Sequence, residues 1–399
     1  MASRYQFNRN EVAGSLGDLG TILPLALGMI LVNGLSATGV FFSVGLFYIL
    51  TGVYFGITVP VQPMKVIGAY AIATAMTSGQ IMASSLLMAV LLLAVGLTGT
   101  IDLIGKHTPK SVIRGVQLST GVLLITQGVK MMAGTSKIQV LYEKAEPYLT
   151  VQSMGPVPIG IIFGVLGVLL TFALLSNKKI PAGLVIVLAG LLFGVLFGDK
   201  KIFALMTPGF YLPQIMPFGI PGNIDFAFAA FALVLPQLPM TLGNAVIANR
   251  DLSNVYFKEK AGKMTYRSLC VSMAAGNFIS FFFGGMPMCH GAGGLSAHYR
   301  FGARTAGSNL IIGLVLIGLT IILGPGISSF LSLIPMAVLG VLLVFAGSQL
   351  AMAIQDVDGR KPLFVLVCML GVTLASNLAV AFAVGLFFAN MLKSKTFTV

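Results

Sequence analysis

The chain contains no tryptophan, only three cysteines, and few charges: 24 Lys+Arg and 11 Asp+Glu among 399 residues, or 9% charged. Soluble domains carry roughly 25% charged residues, so a water-soluble globular protein is excluded. Cys270, Cys289 and Cys368 are scattered, which excludes a disulfide framework and a zinc spacing alike. The acidic residues are dispersed as well. That argues against a carboxylate-held metal and against an enzyme of phosphate or lipid chemistry, so no catalytic residue, metal site or cofactor is expected. Residues Met1–Arg9 carry no apolar core of a cleavable signal. Without tryptophan, the interfacial belt must rely on tyrosine and phenylalanine.

What is present is apolar. Hydrophobic residues make up 57%, mean hydropathy is +0.97, and 48 glycines allow helices to approach closely. These numbers point to an all-α polytopic membrane protein. Apolar segments of spanning character run over Val12–Val32, Ala37–Thr58, Gln80–Ile104, Ser111–Met132, Val157–Leu175, Ile180–Phe197, Phe226–Ala248, Lys263–Phe283, Ser308–Leu323, Ser329–Ala346, Pro362–Ala375 and Leu378–Met391. Two shorter segments, one from Pro63 and one over Gly291–Ala303, reach only about 20 Å against a hydrocarbon core of about 30 Å. The expectation is about fourteen segments. No soluble regulatory domain is expected.

The net charge of +13 reads as orientation charge rather than as a nucleic-acid surface. With the N-terminus inside and Lys65 set aside, eighteen of the remaining twenty-three basic residues fall in loops on the cytoplasmic side. Both termini are therefore expected there, in a cell-membrane protein. A repeat is also visible. Leu16-Gly17-Asp18 precedes Pro60 by forty-four residues, and Leu242-Gly243-Asn244 precedes Pro287 by forty-five. Seven segments per half, residues 1–223 and 224–399, require the second half to be inverted, with proline-broken half-helices at segments 3 and 10.

Four blocks can carry chemistry. Val59-Pro60-Val61-Gln62-Pro63-Met64-Lys65 places two prolines, an amide and an ammonium where a helix would continue. Pro63 suits the first position of a new helix, whose free N–H groups together with Lys65 would attract an anion. Asp18, in Gly14–Thr21, is the one carboxylate well inside an apolar segment. It is either the partner of Lys65, a cap on an unwound turn, or a coupling group. Two prolines in Pro236-Gln237-Leu238-Pro239 should break the start of the eighth segment. Gln237, Thr241 and Asn244 then share one face of neutral donors, fit for an oxyanion or for interhelical hydrogen bonds. In Gly284–Ser296, His290 is a donor or a structural hydrogen-bonder. The turn Gly291-Ala292-Gly293-Gly294 would form a second helix-end cradle.

Taken together, Gly17-Asp18-Leu19-Gly20-Thr21, Pro60–Lys65, Pro236–Pro239 with Asn244, and Pro287–Gly294 followed by Tyr299–Thr305 resemble the molybdate transporter family, a branch of the sulfate permease superfamily. The resemblance covers the whole chain. It implies core and gate domains, inverted seven-helix repeats, a homodimer through the gate domain, and oxyanion binding between the facing ends of segments 3 and 10. It carries Gln62, Lys65, Gln237, Asn244 and Gly291–Gly294 over as site residues. The expected function is alternating-access transport of molybdate, with sulfate or another oxyanion, or a passive anion channel, as alternatives. The expected partners are the oxyanion and the lipid bilayer, not nucleic acid. Sulfate permeases often carry a carboxylate on the eighth helix; none lies between Phe226 and Arg250 here.

Overall fold

The computed structural model describes residues 4–100, 109–175 and 181–394. Lys106, Lys178, Lys179, Lys395 and the far end of Gln80–Ile104 lie outside the described residues. In chain order the first half holds α1 (Arg9–Ser15), α2 (Leu19–Leu31), α3 (Ala37–Phe55), strand β1 (Gln62–Pro63), α4 (Lys65–Thr74), α5 (Ser78–Thr98), α6 (Lys110–Met132), α7 (Lys137–Leu141), the hairpin β2 (Ser153–Met154) and β3 (Val157–Pro158), α8 (Ile159–Leu175), α9 (Ala182–Phe197) and α10 (Lys201–Ala204). The second half holds α11, a run of helical pieces from Asn223 to Phe257, then α12 (Tyr266–Phe283), strand β4 (Met288–Cys289), α13 (Ala292–Phe301), α14 (Gly307–Leu323), α15 (Gly326–Ser332), α16 (Met336–Ala351), α17 (Arg360–Ala375) and α18 (Leu378–Met391). Among the described residues, six stretches are long and apolar enough to cross a membrane, or seven if the bent pair α14–α15 is one span. Several of the other apolar helices are 10–17 residues long, which at 1.5 Å per residue falls short of a core of about 30 Å.

Three expected segments are built differently from their simple reading. Val12–Val32 is broken at Leu16–Asp18 into α1 and α2. The far end of α13 presses in there: a Cβ on Gly14 would meet Ala303 and one on Gly17 would meet Phe301. Ser329–Ala346 is split into α15 and α16, because Pro335 keeps the residue before it out of helical geometry. In α11 the prolines do not break the start. The helix stays continuous by widening into π turns at Ala229–Val234 and Thr241–Ala248, on either side of Leu235–Met240, which accommodates the missing proline amides. It also runs on to Phe257, past the expected end at Ala248.

Packing is pairwise: α3 lies along α14, α5 along α12 and α6 along α16. On the last pair Gly121 faces Gly347 and Gly128 faces Gly340, so closely that a Cβ would lie 2.5–2.6 Å from the opposing carbonyl oxygen. Small residues at these crossings set how near the backbones come.

At the centre, β1 and β4 pair antiparallel, with Gln62 opposite Cys289 and Pro63 opposite Met288. Each strand leads into a ten-residue helix, α4 and α13. Pro63 is not the first helical residue. The Met64 N–H donates to the Pro287 carbonyl at 2.8 Å, which holds Met64 extended as the cap, and the helix begins at Lys65. Two asparagines replace missing strand neighbours. Asn309 of α14 accepts from Val59 N (3.0 Å) and donates to Val59 O (2.8 Å), while Asn277 of α12 does the same to Met288 at 3.0 and 2.8 Å. Such pairing is needed because buried backbone polar groups without partners are costly.

Candidate functional site

A cavity of about 550 Å³ opens beside the two half-helices. Lys65 and Asn244 line it with Thr21, and its walls also carry Lys110, Arg114 and Arg300. Among the described residues, four cationic side chains and no carboxylate line this space. A low-dielectric cleft lined by one sign of charge concentrates counter-ions, here anions.

Each expected site residue has a definite place. Lys65 stands at the first position of α4, and no ion pair within 4.0 Å joins it to Asp18; among the described residues such pairs link only Lys110 and Arg114 to Asp356. Asp18 instead accepts from the Gln62 amide at 2.7 Å. Both are buried, and Asp18 Oδ2 and Gln62 Oε1 have no hydrogen-bond partner. They lie under the first turn of α13. A Cβ on Gly291 would fall 2.0 Å from Gln62 Oε1, and one on Gly294 would fall 2.4 Å from Asp18 Oδ2, so this turn accepts no side chain at either position.

Gln237 is buried and faces α4 rather than the cavity. Its Oε1 accepts from the amides of Val66 (2.9 Å) and Ile67 (3.2 Å), and its Nε2 donates to Thr241 at 2.9 Å. The expectation of free N–H groups at the start of α4 is therefore corrected for these two, which have a side-chain acceptor from α11. The α13 end differs. No side chain caps it, and the amides of Ala292 and Gly293, its first two residues, are the orphan donors of a helix start. The Asn244 amide approaches the same turn, 3.3 Å from where a Cβ on Gly291 would stand. Lys65, Asn244 and the turn Gly291–Gly294 are thus brought together, whereas Gln62, Gln237 and Thr241 form the layer behind them.

His290 is buried in that rear layer. Its Nδ1 lies 2.8 Å from the Pro60 carbonyl and its Nε2 lies 2.9 Å from the Ser272 hydroxyl. Because a carbonyl only accepts, Nδ1 must carry the proton and Nε2 accepts from Ser272. Its own carbonyl accepts from Asn249 at 2.5 Å. The ring ties the two broken segments together. Arg304 closes the other end of α13, donating to the carbonyls of Tyr299 (2.5 Å) and Ala303 (2.8 Å).

Sequence reasoning treated Lys110 and Arg114 only as orientation charge and did not single out Gln117. All three line the cavity. Their spacing of four and three on α6 places them on one helical face, and that was the available signal. The buried cluster of Thr58, His298, Ser308 and Asn309, joined by hydrogen bonds of 2.8–3.3 Å, was also missed. Its signal was the presence of neutral polar residues inside apolar segments.

With this geometry in view, the comparisons are specific. The family described as "Molybdate transporter of MFS superfamily" matches residues 10–124 and 229–350. The chain is 31% identical to Molybdate transporter 2 of Arabidopsis thaliana over 97% of this chain and 88% of that one. By fold, it is similar to the transmembrane domain of a cyanobacterium bicarbonate transporter, BicA, with a TM-score of 0.69 at 16% identity over 96% of this chain and 98% of that one. The murine Slc26a9 anion transporter in its inward-facing state gives 0.66 at 17% identity over 98% of this chain and 70% of that one. At those identities the likeness to the solved structures is one of fold.

Proposed function

The chain belongs to the molybdate transporter family, and from that premise we propose that it is an integral membrane transporter of a tetrahedral oxyanion, molybdate first, working by alternating access. The observation that carries this reading is a cavity lined by Lys65 and Asn244, with no carboxylate among its described lining residues, while the same two side chains approach the uncapped turn Gly291–Gly294 at the start of α13. A dianion entering it is drawn by Arg300, Lys110 and Arg114. It exchanges its hydration shell for the Lys65 ammonium, the Asn244 amide and the N–H groups of Ala292 and Gly293. Lys65 supplies one full positive charge, and the helix end and the neutral donors supply the rest.

Asp18 and Gln62 hold the shape of the α13 turn from below. Asp18 is also the titratable group beside the site. A proton carried on its unpartnered oxygen is the coupling step assigned to it, since it would remove a negative charge next to the anion.

The same reading takes the architecture as two inverted repeats, residues 1–223 and 224–399, with fourteen segments divided between core and gate. Several observations support it. Ala292 lies as far beyond Lys65 as Cys289 lies beyond Gln62, and α4 and α13 have equal length. Gln62 and Cys289 also face each other across the β1–β4 ladder, as two equivalents beside a two-fold axis would. Rocking of one domain against the other would then expose the site alternately. We place the protein in the cell membrane with both termini cytoplasmic, as a homodimer through the gate domain.

The test is uptake by purified protein in liposomes. Saturable molybdate uptake that competes with tungstate and sulfate, and that falls at least tenfold in Lys65→Ala and Asn244→Ala, is expected. Undiminished uptake in both variants would remove the site.

A further inference from the structure

We propose that Asp356 tunes the cavity's mouth: by holding Lys110 and Arg114 it lowers the positive potential met by the anion, so that the oxyanion leaves on that side instead of being retained. The proposal rests on the transporter reading above and adds a residue to it. Asp356 ends the short turn Met352–Asp356 after α16. Its carboxylate takes Arg114 in two-pronged fashion, Nε at 2.9 Å and Nη2 at 2.6 Å, and Lys110 Nζ lies 3.0 Å from Oδ2 and 2.7 Å from the Asp356 carbonyl. Arg114 gives its remaining reach to Gln117 at 2.7 Å. Of the four cations on the cavity wall, two are therefore paired by one carboxylate that itself stands outside the wall.

Asp356 and Lys110 are solvent-exposed, to 44% and 59% by side chain, whereas Arg114 is part-buried at 25%. A structural role alone would lower the stability of Asp356→Asn without shifting the affinity for an anion in the cavity. An electrostatic role would shift it. Adding one positive charge about 10 Å from a dianion in a water-like dielectric changes its local occupancy by roughly fourfold at low ionic strength. The effect fades once the Debye length drops to about 3 Å near 1 M salt.

The experiment uses the full chain in liposomes, with uptake measured separately for each orientation at about 10 mM and about 1 M ionic strength. Asp356→Asn should lower the apparent KM for molybdate at the α6–α16 mouth several-fold in low salt, slow net release there and with it the maximal rate of uptake from the opposite face, and converge with the unmodified protein in high salt. Arg114→Gln should shift KM the other way. An unchanged KM, or the same change on both faces, would overturn the proposal. A second readout separates it from the transport reading: a dye on Ala353→Cys in a Cys368→Ser background, quenched by iodide, reports anion concentration in the cavity whatever is carried. Stronger quenching in Asp356→Asn at low salt supports the tuning role even if molybdate uptake fails. Equal quenching rejects it even if uptake is present.

Discussion

Gln237 is the residue at which a capping role and a direct ligand role part most sharply. Its Oε1 is the shared acceptor for the Val66 and Ile67 amides, so Gln237→Ala leaves two buried donors unpaired. At about 1–3 kcal/mol each, that is a loss of about 2–6 kcal/mol, large against a typical total of about 5–15 kcal/mol. Gln237→Glu keeps an acceptor in the same place, and the positive end of α4 favours it by about 0.3–1 kcal/mol. Its second oxygen can accept from the Thr241 hydroxyl, which now receives the amide N–H. The glutamate, however, sets a full negative charge within a turn of Lys65. Against a dianion about 8 Å away, at an effective dielectric of about 20, the repulsion is about 4 kcal/mol, or roughly a thousandfold in affinity. Apparent melting temperature in detergent and calorimetric molybdate binding are the two readouts. Alanine should melt markedly lower, whereas glutamate should melt close to the unmodified protein yet bind no oxyanion. An alanine variant of unchanged melting temperature, or a glutamate variant that binds normally, would refute the reasoning.

Three further outcomes follow from the packing around the half-helices and the loop that carries Glu146. Gly291→Ala puts a methyl group 2.0 Å from Gln62 Oε1. It should cost about 1–3 kcal/mol or more and abolish binding; an unchanged melting temperature with normal binding would show that Gln62 moves aside and that the glycine is not required. Asn309→Ala removes both bonds to Val59 and should cost about 2–6 kcal/mol, visible as lost monodisperse protein on size exclusion, whereas a well-behaved variant would show that Val59 finds other partners. Glu146, in the loop before β2, accepts from the amides of Met336 and Ala337 at 2.7 and 2.8 Å, and burial pushes its carboxyl up from 4.5 to about 7. A raised carboxyl favours the protonated fold, so its contribution is fully present below about pH 4.5 and is lost as pH rises through 7, by about 3 kcal/mol. Melting temperature should therefore fall from pH 5 to pH 8 more steeply in the unmodified protein than in Glu146→Gln, and parallel slopes would contradict the assignment.

The membrane class, the family and the two proline breaks were legible in the sequence, because each follows from what a residue does to its own stretch of backbone. Pro60 and Pro287 cannot donate, glycines admit close approach, and apolar runs are long or short whatever they touch. Even there the local reading erred where neighbours intervene. Pro63 suits a helix start, yet the Met64 bond to Pro287 moves that start to Lys65, and the prolines of α11 are absorbed by π turns. Which polar groups are spent and which remain open was settled only by the tertiary structure. Gln237 reaches amides 171 and 170 residues away in the chain, Asp18 finds Gln62 and not Lys65 at hydrogen-bonding distance, and Lys110 and Arg114 turn from loop charges into cavity wall. A side chain's type states what it can donate or accept, but its partner depends on which helices are packed beside it, and that packing is decided by shape and burial across the whole molecule.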